Sequence, residues 1–127
     1  SPDGKQLWAA NSQDGTVSII DLAAKQVTAT INVGTKRSNR LQFTQDFKTA
    51  LITDLTSGDL LFLDVATHKV TKRLPVGKSP EGILVTGHTA YIAINGDNFI
   101  QIIDLKTQTP TTKIQTGNGP DGMAYLP

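Results

Sequence analysis

Apolar and polar positions trade places along this chain in short, regular bursts. Residues 25–33, KQVTATINV, set Val27, Ala29, Ile31 and Val33 against Thr28, Thr30 and Asn32. That period of two marks a half-buried strand. TVSIIDL (16–22), DLLFLDV (59–65) and FIQIIDL (99–105) are denser apolar runs, β-branched or aromatic and bounded by turn residues, which also read as strands. ALITD (50–54) and AYIAIN (90–95) are of the same kind. No stretch carries a sustained helical stripe. Turn signals separate the runs: Pro2-Asp3-Gly4, Asp14-Gly15, Ser57-Gly58-Asp59 and Asn95-Gly96-Asp97-Asn98. The pattern predicts an all-β protein.

The runs also repeat. SIIDLAAKQVTATINVG (18–34) returns as LFLDVATHKVTKRLPVG (61–77) and QIIDLKTQTPTTKIQTG (101–117). Asp21, Asp64 and Asp104 are spaced by 43 and 40 residues, and so are Gly34, Gly77 and Gly117. Residues 1–21 lie over residues 44–64 without a gap, and the third copy has a shorter first turn. A period near 40–45 points to propeller blades or to helical arrays, and the strand pattern selects the blade, about four short antiparallel strands. The inner strands come from RLQF (40–43), GILV (82–85) and GMAYL (122–126). The expected division is a first blade over about 1–34 lacking its inner strand, a second over 39–77, a third over 81–117, and at 121–127 the inner strand of a following blade.

The spaced positions S-P-D-G-K-x-L-x-x-A-N, V-x-x-I-D, V-x-A-T-I-x-V-G and P-x-G closely resemble the YVTN β-propeller repeat. The resemblance spans all three copies. Trp8 stands where that family has its Tyr, the second copy lacks Pro-Asp-Gly and Ala-Asn, and the first reads Arg37-Ser38-Asn39 in place of Pro-x-Gly. The resemblance implies a ring of blades in a bacterial or archaeal surface or periplasmic protein, and no single activity.

Propellers close with 4–8 blades, so three blades leave two end faces and an orphan inner strand, edges that invite pairing. Two expectations follow. The chain, opening on Ser1 rather than Met, is a piece of a longer propeller whose remaining blades complete it. Alternatively, two copies close head to tail into a six-bladed ring, each lending its last inner strand to the other.

Composition changes this picture little. Apolar residues make up 38%, charged residues 18%, and the net charge is +1, which gives no general argument for a nucleic acid or an anionic membrane. Cysteine is absent, which removes disulfides and thiolate chemistry. No apolar run reaches the length of a membrane helix.

In a propeller the loops entering each inner strand share one face with the turns between the second and third strands. GTKRSNR (34–40) places Lys36, Arg37 and Arg40 within five residues, and Lys78 sits in the equivalent loop of the next repeat. These cations either hold an anion, such as a phosphate, carboxylate or nucleic-acid backbone, or are solvated and balanced by the neighbouring acidic turns. No aromatic lies beside them to stack on bases, which weighs against a single-stranded nucleic acid. GKSPEG (77–82) and GNGPDG (117–122) share G-x-x-P-acid-G; turn chemistry accounts for it, and Glu81 and Asp121 are the carboxylates nearest the axis. Asp21, Asp64 and Asp104 recur in every copy and read as turn caps. His68 and His88 have no partner at ligand spacing, so no catalytic or metal set is expected, and no cofactor. Trp8 reads as core.

The first functional expectation is a non-enzymatic scaffold binding a protein or glycan at a cell surface or in a periplasm, through Lys36, Arg37, Arg40, Lys78, Glu81 and Asp121. Its alternatives are a fragment of a lactonase-like or quinone- or haem-linked dehydrogenase-like propeller enzyme with its catalytic residues in other blades, and an anion or single-strand binder using the 36–40 loop.

Overall fold

The computed structural model describes Ser1 and residues 3–127; Pro2, part of the first expected turn, lies outside the described residues. Three antiparallel sheets follow one another along the chain. The first holds β1 (Gln6–Asn11), β2 (Thr16–Asp21) and β3 (Gln26–Asn32). The second holds β4 (Ser38–Phe43), β5 (Thr49–Asp54), β6 (Asp59–Asp64) and β7 (Lys69–Pro75). The third holds β8 (Pro80–Thr86), β9 (Thr89–Ile94), β10 (Phe99–Asp104) and β11 (Thr109–Gln115), with one 3-10 turn at Asn95–Asp97. Neighbours in each sheet are consecutive in sequence, so every link is a local hairpin.

The repeated sequence folds into repeated geometry. The pairing of the last two strands slips at the same place in each sheet, between Ile19 and Ile20, Phe62 and Leu63, and Gln101 and Ile103. Such bulges strengthen local twist. Just beyond, Asp21, Asp64 and Asp104 cap the following turn as expected. Their carboxylates accept the backbone N–H of Ala24, Thr67 and Lys106, each at 2.7 Å. Each turn then closes through a left-handed residue, Lys25, His68 or Gln108.

The core lies between sheets. On β6, Leu61 and Leu63 face the first sheet and pack with Trp8, Val17 and Ile19. Leu60 and Phe62 face the third sheet and pack with Ile92 and Ile103. The middle sheet is thus buried on both faces, which is why LLFL (60–63) is an unbroken apolar run rather than alternating. Burying each such side chain is worth about 1.5–3 kcal/mol. Trp8 is core, as expected, 8% exposed, with its ring edge-on to Phe43.

One element differs from expectation. Residues 121–127 form no strand. The second-strand partner they need is not beside them, and an isolated strand has nowhere to place its backbone hydrogen bonds. The chain just before them is held at the end of the third sheet, where Gly119 N–H donates to Asn98 Oδ1 at 2.9 Å.

Candidate binding face

The loops expected to share a face do so. Gly15 carbonyl oxygen accepts the N–H of Val33, Gly58 that of Val76, and Asn98 that of Thr116. Each turn between second and third strands therefore supports the chain leaving its own sheet, and one surface gathers both sets of loops.

Within that surface, Asp54 organises the basic loop. It ends β5, is 1% exposed, and accepts the N–H of Lys36 at 2.8 Å and of Arg37 at 2.9 Å. Burial by itself raises its pKa, but the hydrogen bonds from Lys36, Arg37 and Ser57 outweigh burial and hold the carboxyl below the ordinary value. Asp97 repeats the device one sheet on, accepting the N–H of Lys78 at 2.8 Å. With their backbones fixed in this way, the Arg37 and Lys78 side chains border a recess of about 610 Å3, together with Thr56, Ser57 and Ser79. Among the described residues neither cation forms an ion pair.

The other expected residues separate from these two. Arg40 reaches the following sheet's exit, with Nη2 3.3 Å from Asp121 Oδ2 and Nη1 donating to Asn39 Oδ1 at 2.9 Å. Asn39 in turn donates to Glu81 Oε2 at 2.9 Å. Arg40, Glu81 and Asp121 thus form, with Asn39, a hydrogen-bonded chain of one cation and two carboxylates, with one negative charge in excess. Lys36 is exposed and lines neither group. The basic cluster at 36–40 is divided three ways.

Sequence reasoning missed Asn39; it set acidic turns beside the basic loop, and Asp54 of one such turn accepts from that loop's backbone. A signal existed for Asp54: an acidic residue closing a buried strand must have donors. Asn39 carried no signal, because its partner is 42 residues away. The histidines lie on the opposite face, His68 with its ring 5.5 Å from that of Trp8. Among the described residues no group of three or more His, Cys, Asp or Glu side chains is placed to hold a metal, and no helix is long and apolar enough to cross a membrane.

No family model matches the chain, and no curated protein matches it in sequence. Solved structures do. Hydrazine synthase of Kuenenia stuttgartiensis superposes with a TM-score of 0.88 at 28% identity, over 94% of this chain and 35% of that one. The dihydro-heme d1 dehydrogenase NirN, in complex with DHE, matches with a TM-score of 0.79 at 19% identity, over 100% and 29%. Apo AztD from Citrobacter koseri matches with a TM-score of 0.71 at 17% identity, over 85% and 31%. The chain spans about a third of the length of these proteins. All are β-propeller-like, and the three sheets described above are β-propeller blades, stacked side by side as an arc.

Proposed function

We propose that this chain is part of a non-enzymatic, YVTN-type β-propeller scaffold, working at a cell surface or in a periplasm, whose loop face binds an anionic group on a protein or glycan partner. The recess bordered by Arg37 and Lys78 carries the reading. Two cations 41 residues apart in sequence line one recess with three hydroxyl-bearing residues, and no ion pair among the described residues neutralises them. Guanidinium and ammonium groups with adjacent hydroxyls suit carboxylate, sulfate or phosphate oxygens. Titration with inorganic phosphate and with citrate, followed by amide chemical shifts, tests it. The amides of Arg37, Ser57, Lys78 and Ser79 are expected to move, and to stop moving in the Arg37→Glu, Lys78→Glu double variant. Identical shifts in that variant, or none in the parent, rule the reading out.

A second reading, part of a propeller enzyme, is supported by the 28% identity to hydrazine synthase over 94% of this chain. Under it, the arc frames a site whose reacting groups lie in other blades. Substrate-dependent shifts at the axis residues Asn39, Glu81 and Asp121, rather than at the recess, would favour it.

A further inference from the structure

We propose that the junction between the second and third blades carries a second ligand recess, adjoining the cationic one, and that the two together hold an acidic polysaccharide. The proposal rests on the reading of the Arg37–Lys78 recess given above and names its partner as a glycan. The second recess has a volume of about 460 Å3 and lies between the end of β7 and the strands β10 and β11. Pro75 and Gly77 line both recesses, so the two adjoin where the chain leaves β7. A ligand held at Arg37 and Lys78 can therefore extend into the second recess along one surface. All the lining residues fall between Arg37 and Lys113, within the second and third blades and the loops that enter them.

The second recess offers acceptors that lack donors. Gln101 is 4% exposed. Its Nε2 donates to the carbonyl oxygens of Ile102 at 3.1 Å and Thr112 at 3.2 Å, beside the slip in the β10–β11 pairing. With the amide nitrogen committed in this way, Oε1 is left over, and it accepts no hydrogen bond among the described residues. No buried side-chain nitrogen or oxygen among them lacks a partner, so Oε1 is open to solvent at the recess that Gln101 lines. Asp97 lines the same recess. Its Oδ2 accepts the Lys78 N–H at 2.8 Å, which leaves Oδ1 available.

The first junction shows what such a place takes. The repeat positions of Gln101 and Lys113 on the second blade are Leu61 and Arg73. Leu61 is fully buried and has no polar side-chain atom. Arg73 spends its guanidinium across the junction, donating to the carbonyl oxygen of Val33. At the second junction the counterpart of Val33 is Val76, which lines the recess, and no side chain among the described residues donates to its carbonyl oxygen. Lys113 instead holds its Nζ 4.3 Å from the centre of the Phe99 ring. The donor that the protein supplies at the first junction is thus left to a ligand at the second. Sugar hydroxyls donate to Gln101 Oε1, Asp97 and the Val76 carbonyl alike. A peptide strand brings a carbonyl for every N–H, and with the Thr111 hydroxyl already donating to Ile102, the Lys113 ammonium alone is left to meet them. Cations in one recess and acceptors in the next suit a chain that carries both carboxylates and hydroxyls.

Chemical-shift titration with hexagalacturonate tests this, with citrate as the anion alone, maltohexaose as the neutral sugar and hexaglutamate as the acidic peptide. Hexagalacturonate is expected to move the amides of Arg37 and Lys78 together with that of Val76 and the side-chain amide of Gln101. Maltohexaose should bind at least about tenfold more weakly for want of carboxylates, and hexaglutamate should leave the Gln101 side chain unmoved. Gln101→Leu and Lys113→Arg set at the second junction the side chains that the first already accommodates. Each should weaken hexagalacturonate about tenfold and leave the citrate response as in the parent. Lys113 is exposed, so Lys113→Arg decides the matter even where Gln101→Leu disturbs folding. Citrate shifts at Arg37 and Lys78 with no hexagalacturonate response at Gln101 overturn the proposal and leave the recess reading standing. An equal response of the Gln101 side chain to hexaglutamate overturns it too, in favour of a peptide. No response to any of the anions removes both.

Discussion

Arg37 donates its backbone N–H to the buried carboxylate of Asp54 at 2.9 Å, across 17 residues of sequence. Its side chain is thereby left free at the edge of the recess. Asp54 also accepts the N–H of Lys36 and of Thr56, so one carboxylate orders the loop before its blade and the turn within it. Asp54→Ala strands these donors, and should lower stability by about 2–3 kcal/mol in urea titrations at neutral pH. Asp54→Asn keeps one acceptor and should cost less.

The same contact makes a pH prediction. The folded pKa of Asp54 is lowered, so its contribution is fully present above the ordinary carboxylate value of about 3.9. The contribution is lost as pH falls through the lower folded value. The stability difference between the parent and Asp54→Asn should therefore be flat from neutral pH down to about 4 and shrink below that. A constant difference down to strongly acidic pH would show that the charge of Asp54 is not what the loop uses.

Alternation on β6 separates the two cores. Leu61→Ala and Phe62→Ala each remove a fully buried side chain and should cost about 2–5 kcal/mol. Only Leu61 faces the cluster containing Trp8. Native-state tryptophan emission should shift in Leu61→Ala and stay put in Phe62→Ala, which fluorescence of this single tryptophan reads directly.

Gly58 holds φ at +80°, and a Cβ there would lie 2.6 Å from the Gly77 carbonyl oxygen. That oxygen belongs to backbone and has little room to retreat. Gly58→Ala should cost about 1–3 kcal/mol from conformation alone, with added loss from the clash. Thermal unfolding measures it, and Gly4→Ala, with similar φ but open space around it, isolates the conformational part.

The Arg40–Asp121 pair is half exposed on both sides, so its removal should change global stability by no more than about 1 kcal/mol. Its effect is local. Arg40→Ala should speed hydrogen exchange in residues 117–122 while leaving β5 and β6 protected. Uniformly faster exchange would assign Arg40 a wider structural role.

Repetition made the blades legible in the sequence. Period-two alternation, turn residues and the recurring Asp and Gly each act within a few positions, so Asp21, Asp64 and Asp104 announced their caps. The blade architecture also implied which face the loops share. The division of the basic loop was not legible. Lys36, Arg37 and Arg40 are neighbours in the chain, but only the stacking of blades brings Lys78 beside Arg37 and Asp121 beside Arg40, partners 41 and 81 residues away. The inner-strand segment at 122–126 makes the same point in reverse, since its sequence is that of a strand and its conformation waits on a neighbour. Local hydrogen bonding and side-chain alternation are written in the sequence; which charged residues share a recess or a bond follows from how the sheets pack.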